Sequence, residues 1–107
     1  MPGRVSLDSN IVIALFAEDE EVARKTERAD EVFVASIVLG ELYYGACNSA
    51  RTDENTRRID DFAATTSVLF VDVDTAREYG KIKDRLRANG TPIPENDIWI
   101  AALSRQY

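Results

Sequence analysis

A chain of 107 residues with 45% hydrophobic side chains has the length and apolar content for one globular domain with its own core. Nineteen acidic residues against thirteen Lys and Arg leave a net charge of −6, which excludes nucleic-acid binding by bulk electrostatics, a mode that draws on Lys and Arg. With one cysteine and no histidine, the chain by itself can form no disulfide, Cys/His nucleophile, Ser-His-Asp triad or Cys/His zinc site.

The chain opens with Arg4-Val5-Ser6-Leu7, which reads as a short strand. A helix carrying Ile11, Val12, Leu15 and Phe16 follows, with Ser9 or Asn10 as its cap and Asp8 at the junction. The apolar run Ile11 to Ala17 is too short to span a membrane and lacks a signal-peptide cleavage pattern, so a cytoplasmic protein is expected. Glu18 to Asp30 reads as an exposed helix. Val32 to Ala35 reads as a second strand, and Ser36 caps a helix from Ile37 to about Ala46. Cys47, in that apolar stretch, reads as a small buried hydrophobe in a reducing compartment.

Thr52-Asp53-Glu54 supplies a cap and two acids to a helix reaching Phe62, and Val68 to Val71 reads as a third strand. Thr75 and Glu78 have capping-box spacing, opening a helix with Tyr79, Ile82 and Leu86 on one face that stops at Asn89-Gly90. Thr91-Pro92-Ile93-Pro94 is a stiff loop, and a last helix starts near Asp97. Apolar strands alternating with helices predict an α/β fold, a parallel sheet between helix layers, in a single domain spanning 1–107 without repeats or linkers.

Three carboxylates stand without charged neighbours. Asp8 is the only charged residue from Val5 to Ala17, Glu41 from Val32 to Ala50, and Asp97 from Asn96 to Ser104. A buried carboxylate without a partner costs several kcal/mol or takes up a proton. With no basic residue near in sequence, a hard divalent cation is the simplest shared compensation, and Mg²⁺ favours such oxygen donors. In parallel sheets, ligands bind beyond the carboxyl ends of strands. Asp8 ends the first strand, Glu41 lies in the second turn after the second, and Asp97 opens the last helix, so convergence at one sheet edge is expected. Asp8 and Asp97 are equally suited to capping a helix, which stabilises by about 1 kcal/mol each. The alternative for Glu41 is a place on the exposed stripe of its helix.

Leu7-Asp8-Ser9-Asn10, Gly40-Glu41-Leu42 and Asn96-Asp97-Ile98-Trp99-Ile100-Ala101-Ala102, in this order and placement, resemble the motifs of PIN-domain proteins, in particular VapC-type toxins of toxin-antitoxin pairs. The resemblance implies a three-layer α/β/α sandwich with a central parallel sheet. It also implies Mg²⁺ or Mn²⁺ held by Asp8, Glu41 and Asp97, with Ser9, Asn10 and Asn96 as auxiliary residues, and endonucleolytic hydrolysis of structured RNA such as tRNA or rRNA. A VapB-type antitoxin and a homodimer are the implied partners. Family members continue beyond the equivalent of Tyr107 into a strand, a fourth acid and a final strand. Against that pattern this sequence lacks the last strands and is expected to belong to a longer chain, because Ile98, Trp99, Ile100 and Leu103 form a helix face that wants more core.

Two other readings use the same residues. An Mg²⁺-dependent phosphotransfer domain also places Asp at strand ends, but its phosphatase pattern wants a second Asp where this chain has Asn10. A catalytically inactive PIN-like binding module would keep the fold without the chemistry. Arg77, Lys81 and Arg85 share a helix face, and Arg51, Arg57 and Arg58 cluster near a helix start. Each is more simply a solvated charge balancing nearby acids than an RNA contact. Trp99, Tyr43 and Tyr44 read as core or dimer contacts.

Overall fold

A computed structural model describes residues 4–28 and 31–107, with the side chains of residues 4 and 5 left aside. The described residues form three strands and six helices: β1 (Arg4–Leu7), α1 (Ser9–Phe16), α2 (Glu20–Arg28), β2 (Glu31–Ala35), α3 (Ser36–Cys47), α4 (Thr52–Thr65), β3 (Ser67–Leu69), α5 (Val73–Ala88) and α6 (Glu95–Gln106). The strands lie in the order β1-β2-β3 and run parallel. β1 is in register with β2 from Arg4 opposite Glu31 to Leu7 opposite Val34. This is the α/β class expected from the alternation of elements. The chain divides into two compact units, one ending at Val68 and one running from Leu69 to Tyr107.

In the first unit, α3 packs on β2, α1 and α4. Val38, Leu42 and Ala46 recur at a spacing of four, which puts them on one helical face, and all three are buried with Leu39. Leu7 of β1, Val12 of α1, Val34 and Ala35 of β2 and Ile59 of α4 complete this core. α2 is largely polar, with only Val22 and Ala23 apolar, and has Glu20 and Glu21 in its first turn and Lys25 and Arg28 in its last, signs that complement the helix dipole. Asp19 caps it by accepting from the Val22 amide at 3.0 Å. Of the helix expected from Glu18 to Asp30, Glu20–Arg28 forms as α2, Glu18 and Asp19 precede it outside the helix, and Asp30 lies outside the described residues.

In the second unit, α5 and α6 pack against each other, burying Ile98, Ala102 and Leu103. Asp72 caps α5 in a reciprocal capping box with Thr75. Thr75, fully buried, also donates to the Gln106 side chain, whose amide reaches Asp72 at 2.8 Å. α5 closes through Gly90 at φ +66. The Thr91 amide bonds the Leu86 carbonyl and the Gly90 amide that of Arg87, the paired closure that a left-handed residue permits.

Several local expectations shift by a few residues. The cap of α1 is Asp8, not Ser9 or Asn10. The box opening α5 is Asp72–Thr75, not Thr75–Glu78. Neither Ser36 nor Thr52 caps its helix; each sits inside the first turn, after Ala35 and Arg51. Cys47 is exposed, because it falls at the open end of α3 off the Val38-Leu42-Ala46 stripe.

Candidate metal centre

β1 delivers its last residue, Leu7, into the core at 1% exposure, and the chain turns into α1 at once. Asp8 sits at that turn with extended backbone (φ −90, ψ 174). Its Oδ1 accepts the Ile11 amide at 2.8 Å and its carbonyl accepts the Val12 amide. The two alternatives for Asp8 are thus compatible: one carboxylate oxygen caps the helix, and Oδ2 has no hydrogen-bond partner among the described residues.

Glu41 projects from the second turn of α3. The Ser9 hydroxyl donates to its Oε1 at 3.0 Å, which brings the residue after Asp8 onto Glu41 although 32 positions separate them. Glu41 Oε2 is likewise left without a partner. Asp97 lies in the first turn of α6, in the second unit, and its side chain has no partner among the described residues.

All three acids are exposed, which corrects the expectation of buried carboxylates. Each lies at a helix start or on the outer side of a helix, so their apolar sequence neighbours turn inward while they do not. What persists is the absence of a cation: no Lys or Arg among the described residues pairs with any of them. Within either unit, the described residues contain no ready-made group of three metal-ligating side chains. The donor set still suits a hard divalent ion, because each acid keeps at least one unengaged oxygen and carries no competing ion pair.

Ser9 and Glu41 line a cleft of about 290 Å³ together with Ile13, Phe16, Leu42 and Arg58. Arg58 lies 4.7 Å from the Phe16 ring centroid and donates to the Phe16 carbonyl; the Phe62 and Phe16 rings meet edge-to-face at 5.7 Å. Sequence reasoning grouped Arg58 with solvated charges. Its place in this cleft depends on a contact between positions 42 apart, for which the sequence carries no local signal. Nearby, Tyr43 donates to Asp60 at 2.5 Å, and this carboxylate, with partial burial, raises the phenol's pKa.

The start of α6 has its own side-chain cluster. Tyr79 donates to Glu95 Oε2 at 2.5 Å, and Lys83 donates to Glu95 Oε1 at 2.9 Å and to the Tyr79 oxygen at 3.0 Å. Tyr79, then Lys83, hold the Glu95 carboxyl below its ordinary range, and the two partners raise Lys83. Trp99 stacks on the Tyr79 ring at 4.0 Å, 12° from parallel.

A parallel sheet whose first strand is followed at once by Asp8, with Glu41 on α3 and Asp97 in the first turn of α6, is an α/β fold that carries three carboxylates free of ion pairs. The PIN domain profile matches residues 5–107, and the chain belongs to the PIN domain family. It is similar to the ribonuclease VapC2 of Haemophilus influenzae, 39% identical over 101 residues, a match covering 92% of this chain and 76% of that protein. The tRNA(fMet)-specific endonuclease VapC of Shigella flexneri is 32% identical over 103 residues, with the same two shares. The crystal structure of VapBC2 from Rickettsia felis bound to a promoter DNA fragment superposes with a TM-score of 0.85 at 25% identity, over 94% of this chain and 79% of that one.

Proposed function

We propose that this chain is a metal-dependent endoribonuclease of the VapC type, the toxin of a toxin-antitoxin pair, hydrolysing phosphodiesters of structured RNA such as tRNA or rRNA. The observation that carries the proposal is the Ser9–Glu41 hydrogen bond at the carboxyl end of β1, which places Glu41 beside the Asp8 turn with free oxygens on both acids. The family profile runs through both units, which supports reading 1–107 as one functional domain.

Asp8, Glu41 and Asp97 are the residues that would hold Mg²⁺ or Mn²⁺, with Ser9, Asn10 and Asn96 as auxiliary groups. A divalent ion bound there supplies Lewis acidity for hydrolysis and neutralises charge on the phosphate. Asp8 fixes its own carboxylate through the Ile11 amide, and Ser9 orients Glu41, so both acids are held before RNA arrives. The ion also answers the charge problem. Residues 1–68 contain thirteen Asp and Glu against seven Lys and Arg, a surplus that repels RNA unless a cation intervenes.

The same surplus suits a basic, extended antitoxin segment of the VapB type, in line with the VapBC assembly of the Rickettsia relative. A homodimer and a cytoplasmic location complete the reading; among the described residues no helix is long and apolar enough to cross a membrane. The test is cleavage of total tRNA and rRNA by the purified chain with Mg²⁺ or Mn²⁺. Discrete fragments that vanish with EDTA are expected. Cleavage undiminished by EDTA overturns the metal reading, and intact RNA under every metal condition favours the inactive binding module.

A further inference from the structure

α6 begins without a side-chain cap: Pro94 precedes it and supplies no such hydrogen bond. The amides of both Asp97 and Ile98 converge on the Pro94 carbonyl, at 3.0 and 3.2 Å. A helix start without a side-chain cap is prone to fray, and Asp97 sits in this first turn. The turn is instead held from α5. Both oxygens of Glu95 are occupied, one by Tyr79 and one by Lys83, and Trp99, one turn further on, stacks on the same Tyr79 ring. Residues 95 and 99 share a helix face, whereas 97 is rotated about 200° from 95 at 3.6 residues per turn. The grip is therefore on the side of α6 away from Asp97, which leaves that carboxylate unengaged.

We propose that Tyr79 and Lys83 are positioning residues that act through Glu95 to hold Asp97 for metal binding. This rests on the assignment of Asp97 as a metal ligand. Glu95 is assigned as the anchor and not as a ligand, because each of its oxygens is tied to α5, one by Tyr79 and one by the Lys83 cation. A flexible Asp97 would have to be ordered by each arriving ion, so loosening the anchor weakens metal binding more than it slows the loaded enzyme.

The test compares Tyr79→Phe, Glu95→Gln and Asp97→Asn in the full chain. Tyr79→Phe keeps the ring stacked on Trp99 and removes only the hydroxyl, so folding is preserved. Mn²⁺ affinity is read directly by electron paramagnetic resonance of free ion, alongside the Mn²⁺ dependence of RNA cleavage. Tyr79→Phe and Glu95→Gln are each expected to weaken Mn²⁺ binding by about tenfold, with cleavage at saturating Mn²⁺ within about twofold of wild type. The double variant should be no worse than Glu95→Gln alone, because the Tyr79 hydroxyl acts through Glu95. Asp97→Asn weakened in Mn²⁺ binding while Tyr79→Phe and Glu95→Gln bind like wild type overturns the anchor alone. Asp97→Asn binding like wild type overturns the ligand assignment and the anchor with it.

Discussion

The two units solve opposite problems. The first carries the entire net charge of the chain, and the second is balanced, with six Lys and Arg against six Asp and Glu in residues 69–107. The first is held by an apolar core running from Leu7 to Ile59. The second, with fewer buried apolar residues, relies more on polar side-chain links: Asp72–Thr75–Gln106 at one place and Tyr79–Glu95–Lys83 at another. The acids proposed for chemistry are divided between these settings. Asp8 and Glu41 stand on a hydrophobic frame, and Asp97 stands on a hydrogen-bonded one. An apolar frame tolerates changes of pH and salt; a polar one is adjustable but sensitive to each partner.

The largest expected effect isolates the chemistry in the first unit from its structure. Asp8→Asn keeps the helix cap, since Asn caps as well as Asp, but removes the anionic ligand. RNA cleavage should fall by about 100-fold or more while the melting temperature stays put. Asp8→Ala should lose both activity and about 1 kcal/mol of stability. Equal cleavage by wild type and Asp8→Asn would leave Asp8 as a cap and nothing more.

Core truncation tests the contrast in frames. Leu7→Ala, at a side chain 1% exposed, should cost about 3 kcal/mol in a urea titration. Thr75→Val in the second unit keeps the volume but strands the Gln106 carbonyl and the Asp72 amide, for about 1–3 kcal/mol. If Thr75→Val is neutral, the second unit is not held by its polar links and the contrast fails.

The helix ends differ in the same instructive way. Both units place a residue in the left-handed region after a helix, Gly90 at φ +66 in one and Glu18 at φ +61 in the other. Only glycine adopts this conformation without a Cβ penalty. Gly90→Ala should destabilise by about 1 kcal/mol, although a Cβ there meets nothing within 4 Å, because the cost is in the backbone. Glu18→Gly should stabilise by a smaller amount, about 0.5 kcal/mol, since added unfolded-state entropy offsets part of the relief. Thermal denaturation of both variants gives the two signs directly.

How much of this was legible in the sequence varied with the range of the interaction involved. β1, the β2 region and the stop at Asn89-Gly90 are written in short apolar runs and a glycine, signals complete within a few residues. Helix starts were placed one to three positions late, because Asp8, Ser9 and Asn10 all have capping side chains, as do Asp72 and Thr75. Which one caps depends on where the preceding strand releases the chain. The isolation of Asp8, Glu41 and Asp97 from cations was readable; their exposure was not, since apolar neighbours in sequence turn to the other side of a helix. Ser9 meeting Glu41, Arg58 meeting Phe16 and Tyr79 meeting Glu95 are tertiary pairings, and nothing local in the sequence announces them.

The smallest effect concerns acid, and it again separates the units. Asp72 is held below its ordinary carboxylate pKa, first by the Thr75 amide and then by the Gln106 side chain. A carboxyl with a depressed folded-state value stabilises when ionised, so its contribution is present above the unfolded value near 4 and is lost as pH falls through the folded value. Asp72→Asn retains a capping oxygen that does not titrate. The stability of wild type relative to Asp72→Asn should therefore be positive at pH 7 and shrink toward zero below about pH 4. Glu95, also depressed, titrates in both proteins and cancels in the difference. A difference that does not change with pH would mean that the cap of α5 works through geometry alone, and that the second unit owes nothing to the charge of Asp72.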